Sequence, residues 1–139
     1  MLTVLEKVDL LQHAEIFREV RTESLARVAT IAQEVGFEPL HPLFNENEAA
    51  DAIFVLVEGE VMLTCSGREG NKLSEFQVAG ALSVLAERAH TETAIAVRPT
   101  QALRINQQDL YEAIAEDVNI ARGLLRALVR IVSGIGVRS

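Results

Sequence analysis

The segment on which the fold depends is residues 80–97, GALSVLAERAHTETAIAV. Gly80 comes directly before a short apolar run, which predicts a helix from about Leu82 to Ala86. A polar segment follows this helix. Apolar positions then recur at every second residue, which predicts a strand over 93–97. Glycine lets backbone approach a ligand closely, and the free N–H groups of a first helical turn attract anions. The junction therefore indicates an anion site, although the same pattern also occurs at ordinary turns.

This segment resembles the phosphate-binding cassette of the cyclic nucleotide-binding domain family, which includes the effector domain of catabolite activator protein. The family pattern is Gly-Glu-Leu-Ala-Leu-Leu, a short variable loop, then Pro-Arg-Ser-Ala-Thr and a strand. The positions of this sequence that fit are Gly80, Leu82, Ser83, Val84, Leu85, Thr91 and Thr93. Two positions differ: the glutamate that binds the ribose falls on Ala81, and the arginine that binds the cyclic phosphate falls on His90.

The resemblance implies a binding site for a cyclic nucleotide (cyclic AMP or cyclic GMP) or another small anion, formed by Gly80, Ala81, Leu82, His90 and Thr91. A hydrogen bond to a charged group contributes about 1.5–3 kcal/mol. Losing one to the ribose and one to the phosphate therefore lowers affinity by roughly 10²–10⁴. A protonated His90 could replace part of the lost interaction, and so could Arg88. The alternative is that His90 is an exposed loop residue without a ligand and Arg88 a solvated one.

A second region, residues 37–61, also resembles this family. Its matching positions are Pro39, Leu43, Phe44, Glu46, Asp51, Phe54, Leu56, Gly59 and Val61. Leu40 and Asn47 stand where the family usually has glycine, and asparagine tolerates the left-handed backbone region better than leucine does. In all, the resemblance extends over roughly residues 5–130.

The short apolar runs predict a mainly β fold: an antiparallel β-roll of the double-stranded β-helix or jelly-roll type, with helices at both ends. We expect one domain over residues 1–139, with N-terminal helices over 4–33, the β-roll over 34–106 and C-terminal helices over 107–133. Within the roll, residues 66–71 have the composition of a hairpin loop, and residues 73–78 read as a strand.

Short sequence signals predict where two of the helices begin and end. Thr22 is a predicted N-cap for a helix over 23–33. At the other end, either Asp117 or Asn119 begins a long helix that runs to about Val132 and ends at residues 134–136. In the resembled family, these last helices move when ligand binds and often supply a dimer contact.

Charge and composition exclude several function classes. The net charge is −7, and residues 1–60 hold 12 acidic and 4 basic residues, so we expect no direct contact with nucleic acid. No apolar run is long enough to span a membrane, and the start lacks the layout of a signal peptide. The single cysteine, Cys65, suits a reducing compartment and predicts a cytoplasmic protein. Because Cys65 ends an apolar strand, we expect it to be buried or half-buried.

Catalysis and metal binding have little support in the sequence. The cupins, a barrel family of similar appearance, bind metal through clustered histidines, but here the three histidines are scattered, at His13, His41 and His90. We therefore predict no enzyme activity, no catalytic residue, no metal site and no cofactor.

Arg122, Arg126 and Arg130 recur every four residues on the last helix. They are interpreted as a solvated face, as a contact for an acidic partner, or as a membrane-surface contact. The acidity of residues 1–60 would complement these arginines in a head-to-tail or intramolecular contact.

Two functions are consistent with the sequence. The first is a non-catalytic regulatory or sensor module of the cyclic nucleotide-binding type, with weakened ligand recognition. The second is a ligand-free protein-interaction or assembly domain built on the same fold, with a protein partner or a homodimer contact through the C-terminal helix.

Overall fold

The computed structural model describes residues 1–134 and contains two four-stranded antiparallel sheets flanked by helices. Its helices are α1 (Val4–His13), α2 (Thr22–Ile31), α3 (Ala81–Leu85), α4 (Gln107–Glu116) and α5 (Val118–Gly134). A 3₁₀ turn, Glu15–Phe17, lies between α1 and α2. The strands are β1 (Gln33–Phe37), β2 (Pro42–Phe44), β3 (Ala52–Glu58), β4 (Val61–Cys65), β5 (Arg68–Leu73), β6 (Val78–Ala79), β7 (Thr93–Ala96) and β8 (Thr100–Asn106).

The strands form the predicted antiparallel β-roll. One sheet has the order β1-β8-β3-β6 and the other the order β2-β7-β4-β5, and every strand pair is antiparallel. Strand β8 pairs with both β1 and β3, and β7 pairs with both β2 and β4. Apart from the β4–β5 hairpin, the chain therefore alternates between the sheets as it winds, which confirms the predicted fold class.

Strand β3 carries the core on both of its faces. Ile53 and Val55 belong to the larger core cluster, which also contains the buried side chains of the flanking helices. Phe54 and Leu56 point the other way, into a second cluster between the two sheets. Because side chains alternate along a strand and both faces are covered, β3 reads as a continuous apolar run.

Two predicted helix features differ in the structure. Thr22 is the first residue of α2 rather than its N-cap, which is Arg21 and makes no side-chain cap hydrogen bond. The Thr22 hydroxyl instead accepts a hydrogen bond from Gln12 Nε2 at 2.9 Å, so a contact with α1 replaces the local cap. The long helix α5 begins at Val118, and Asp117 Oδ1 accepts the N–H of Asn119 at 3.0 Å. Of the predicted end of α5, residues 135 and 136 lie outside the described residues.

The predicted loop over residues 66–71 is wrong. Only Ser66 and Gly67 form the turn, both with positive φ (52° and 80°), and strand β5 begins at Arg68. Two-residue turns of this kind match the twist of paired strands. Strand β5 is polar because it is the edge of its sheet and is exposed along most of its length. The predicted strand over 73–78 is likewise wrong, since β5 ends at Leu73 and β6 begins only at Val78.

Both positions at which the family usually has glycine have left-handed backbone. Leu40 has φ 71° and Asn47 has φ 72°. The Leu40 N–H donates to the carbonyl of Ala96 at 2.7 Å, so a backbone hydrogen bond fixes this turn. The side chain of Leu40 is 80% exposed and contributes little burial to offset the backbone strain.

Candidate functional site

Gly80 is the N-cap of α3 and has φ 85°, a left-handed conformation that glycine adopts without steric cost. A Cβ atom at this position would lie 3.1 Å from His90 Cε1, 3.2 Å from Phe44 Cε2 and 3.4 Å from the carbonyl of Ala52. The position therefore requires glycine for two reasons, its backbone conformation and the close approach of two rings. The expected helix Leu82–Ala86 begins and ends one residue earlier, at Ala81 and Leu85.

His90 is buried, with 3% of its surface exposed, so the expectation of an exposed loop histidine is wrong. Its ring stacks on Phe44 with a centroid separation of 3.6 Å and an interplanar angle of 9°. Burial lowers the pKa of the His90 imidazole, and the nearby carboxylates of Asp51 and Glu48 oppose this shift. The neutral form is therefore favoured near pH 7, which weakens the idea of a protonated His90 as an anion partner.

The backbone also holds His90 in place. Its N–H donates to the carbonyl of Glu48 at 2.9 Å, and its carbonyl accepts the N–H of Asn47 at 2.8 Å. Ala89 continues this pairing through an isolated antiparallel bridge to Ala49. The cassette loop is thus tied to the β2–β3 connection, where left-handed Asn47 makes the turn.

A cavity of about 580 Å³ opens beside α3. All five residues of the predicted site line it: Gly80, Ala81, Leu82, His90 and Thr91. Arg88 does not line the cavity, and its side chain is exposed. Other wall residues come from distant parts of the chain, namely His13, Arg18 and Ile131. Sequence reasoning missed these three because no local pattern relates the N-terminal helical segment or α5 to the cassette.

The charges around this cavity do not resemble a strong anion site. Its wall carries the carboxylates of Glu15, Glu75 and Glu92, and Arg18 is the one arginine among the described residues that line it. Ala81 supplies no carboxylate for a ribose hydroxyl. Space for a nucleotide-sized ligand is present, while the charge-assisted contacts that would hold a cyclic phosphate are few.

The cavity is connected to the C-terminal helices in two ways. The side chain of Gln107, the first residue of α4, donates from Nε2 to the carbonyl of Val84 in α3 at 2.8 Å. Ile131 of α5 lines the cavity wall directly. Direct contacts therefore connect α3 to α4 and the cavity wall to α5.

Residues 34–117, more than half of the chain, match the family model described as the cyclic nucleotide-binding domain. The chain belongs to the cyclic nucleotide-binding domain family. This is the family that the cassette resembles, and the predicted assignment is confirmed.

Comparisons with individual proteins agree with this family assignment. The chain is 25% identical over 127 residues to a CRP-like cAMP-activated global transcriptional regulator of Mycobacterium tuberculosis, an alignment that covers 88% of this chain and 57% of that protein. It resembles the crystal structure of the N-terminal domain of a transcriptional regulator from Streptomyces coelicolor, with TM-score 0.82, 26% identity and coverage of 92% and 95%. The catabolite activator protein of Thermus thermophilus shares the fold at TM-score 0.74 and 22% identity, over 88% of this chain and 60% of that one.

No group of three or more histidine, cysteine, aspartate or glutamate side chains within residues 1–134 could hold a metal ion. No helix in the described part of the chain is long and apolar enough to cross a bilayer. Cys65 is exposed, which contradicts the expected burial: it is the last residue of β4 and pairs with Arg68 next to the turn of the hairpin.

Proposed function

We propose that this chain acts as a non-catalytic regulatory domain over residues 1–139, in which occupancy of the cavity beside α3 is transmitted to α4 and α5. The observation that carries the proposal is the shared wall: residues of the cassette and Ile131 of α5 face the same cavity. The hydrogen bond from Gln107 to the carbonyl of Val84 supports it, because it joins α3 to α4. A ligand that fits one position of α5 better than another would shift the balance between those positions.

The proposed ligand is a cyclic nucleotide, or another small anion, held at Gly80, Ala81, Leu82, His90 and Thr91. Backbone N–H groups of the first turn and the Thr91 hydroxyl are the proposed donors. Since the carboxylate and guanidinium of the family cassette are replaced, we expect affinity to be roughly 10²–10⁴ weaker than that of a complete cassette. If a complete cassette binds at micromolar concentration, the expected Kd here is about 0.1–10 mM.

Calorimetry with cyclic AMP and cyclic GMP tests this proposal, using the double substitution Ala81→Glu with His90→Arg to restore the family residues. We expect the restored variant to bind at least about tenfold more tightly than the natural chain. The matched control, Ala86→Glu with Ala89→Arg, places the same groups at exposed positions that do not line the cavity. It should bind as the natural chain does.

Circular dichroism of each variant shows whether it is folded, which matters because His90 is buried. Absence of heat at millimolar ligand from both the natural chain and a folded restored variant would reject the cavity as a cyclic nucleotide site. Equal affinity of the natural and restored chains would reject the proposed role of positions 81 and 90.

A ligand-free interaction or assembly domain is the second candidate function. The specific observation in its favour is an exposed apolar stripe on α5, formed by Val118, Leu125, Val129 and Val132. In the C-terminal helix such a surface is suited to a protein partner or a second copy. A protein that stays monomeric at all concentrations and retains no partner would contradict this candidate.

A further inference from the structure

A second concave surface of the molecule lies between α1 and the end of β3, and it is called the α1 groove. Its volume is about 530 Å³, and of the described residues only Glu75 and Phe76 line both this groove and the cavity beside α3. The apolar residues of the groove are Leu2, Leu5, Leu10, Val57 and Phe76. Leu5 is 81% exposed, and the neighbouring Val4 is 45% exposed. Apolar surface of this kind, open to water and bordered by polar groups, is typical of interaction sites.

Carboxylates border the α1 groove on two sides. Glu6 and Asp9 come from α1, whereas Glu58 comes from the end of β3 and Glu75 from the connection between β5 and β6. Within residues 1–134, no lysine, arginine or histidine side chain lines the groove. None of the four carboxylates forms an ion pair with another residue in this range. The apolar floor of the groove is therefore bordered by negative charge on both the helix side and the sheet side.

The polar groups of α1 are arranged so that this negative charge stays available. Lys7, the one lysine of α1, donates from Nζ to the carbonyl of Ala32 at 2.7 Å and does not line the groove. Glu6 Oε1 accepts the N–H of Thr3 at 2.9 Å, as part of the capping box that begins α1. This hydrogen bond restrains the Glu6 carboxylate, so the binding of a cation there costs little further ordering of the side chain.

The combination of an apolar floor and acidic borders restricts what can cover the α1 groove. A partner without positive charge would remove carboxylates from water and leave them unpaired, which is costly. Nucleic acid and an anionic membrane surface would be repelled by the same charges. A helix with one apolar face, and with lysine or arginine on both sides of that face, would cover the leucines and pair the carboxylates. Helices of this amphipathic kind commonly bind in grooves.

We propose that the α1 groove is a docking site for a basic amphipathic helix of another protein. The apolar face of that helix contacts Leu5 and Phe76, and its basic side chains pair with the carboxylates on either side. Helix α1 has 10 residues and is about 15 Å long, so a partner helix of about 14 residues, about 21 Å long, spans the groove. The contact goes beyond the proposed regulatory function, since it requires no ligand in the cavity beside α3.

Fluorescence anisotropy on the full chain tests this proposal with a labelled synthetic peptide of leucine and lysine, about 14 residues long. In this basic probe the leucines form one helical face and the lysines border it on both sides. Two control probes accompany it: a shuffled peptide of the same composition without an apolar face, and an acidic peptide with glutamate in place of lysine. We expect the basic probe to bind at least about tenfold more tightly than either control.

A substitution on the apolar floor locates the binding site. Leu5→Lys removes an exposed apolar contact and adds a charge of the same sign as the probe, so it should bind the basic probe at least about tenfold more weakly. The matched control is Leu40→Lys, which makes the same change of charge at an exposed leucine outside the groove. The control variant should bind the probe as the natural chain does.

A second pair of variants tests the acidic borders. Asp9→Asn with Glu58→Gln removes one carboxylate from each side of the groove and should weaken binding of the basic probe about fivefold. The matched control, Glu38→Gln with Glu69→Gln, removes two exposed carboxylates outside the groove and should bind normally. Because the two variants have equal net charge, their comparison separates groove contacts from general attraction between an acidic chain and a basic peptide. Circular dichroism shows whether each variant is folded.

Three results would overturn the proposal: no saturable binding of the basic probe at millimolar concentration, equal binding of a control probe, or groove variants that bind as tightly as their matched controls. Sedimentation equilibrium tests a second copy of this chain as the alternative occupant of the groove. A natural chain that self-associates, together with a Leu5→Lys variant that does not, would assign the α1 groove to that second copy and would also overturn the proposal.

Discussion

Gly80 and Gly123 both allow parts of the molecule to approach closely, but what they approach differs. A Cβ atom on Gly123 of α5 would lie 2.6 Å from Val20 Cα and 2.9 Å from the carbonyl of Glu19, which are backbone atoms of the segment after the 3₁₀ turn. At Gly80 the nearest atoms belong to the rings of His90 and Phe44. Backbone atoms cannot move without displacing an element, whereas rings can shift slightly. At Gly123, α5 therefore lies in close contact with backbone, whereas the closest approach at Gly80 is to side-chain rings.

The largest loss of stability is expected for substitution of Gly123. We expect Gly123→Val to lower the free energy of unfolding by about 3 kcal/mol, because the added side chain overlaps the backbone at Val20. Chemical denaturation measures this. Gly134→Val is the matched control on the same helix, since a Cβ there meets nothing within 4 Å, and it should change stability by less than about 0.5 kcal/mol. Equal effects at the two positions would show that α5 is not held by the backbone contact.

A smaller loss of stability is expected for substitution of Gly80. Both Gly80→Ala and Gly67→Ala force alanine into a left-handed conformation, with φ 85° and 80°, which costs about 1–2 kcal/mol. A Cβ on Gly67 meets nothing within 4 Å, whereas a Cβ on Gly80 meets His90 and Phe44. We therefore expect Gly80→Ala to be the more destabilising by about 1 kcal/mol in denaturant titrations. A difference near zero would mean that the rings move aside freely.

The smallest effect concerns the protonation of His90. Its pKa is lowered in the folded state by burial, with Asp51 and Glu48 opposing, so the unfolded chain binds more protons at mildly acidic pH. The free energy of unfolding should therefore fall as the pH decreases from the ordinary histidine pKa of about 6.5 toward the lower folded value, and then level off. Thermal unfolding from pH 8 to pH 5 measures this fall.

Substitution shows whether His90 is the source of the fall. His90→Phe keeps a ring to stack on Phe44 but cannot titrate, so this part of the pH dependence should be lost. His41→Gln, at an exposed position, should retain it. An unchanged pH profile in His90→Phe would assign the effect to another group.

The sequence pattern predicted a structural feature correctly where the physical cause of that feature lies within a few neighbouring residues. The alternation of β7 and the glycine before α3 were both visible because they follow from side-chain period and backbone conformation. The left-handed turns at Leu40 and Asn47 were expected only by comparison with the family's glycines. Strand β5 was missed because an exposed edge strand has no apolar alternation, although the Ser66-Gly67 pair is a sequence signal for a turn.

The chemistry of the site could be predicted only in part. Ala81 and His90 were identified as replacements from the sequence, and both line the cavity. The protonation state of His90 was not predictable, since it depends on burial of the ring, which stacks on Phe44 of β2. The contribution of Arg18 and Ile131 to the cavity wall was equally hidden, because these residues are brought to the cassette from the two ends of the chain.

By itself, the sequence determined the family, the β-roll and the loss of the two charged cassette groups, because these depend on residue type and on spacing along the chain. Only the tertiary structure decided that His90 is buried and stacked, that Ile131 lines the cavity and that one face of α5 remains exposed. Each of these depends on contacts between segments far apart in sequence, and burial sets both the protonation state of a histidine and the surface that is left for a partner.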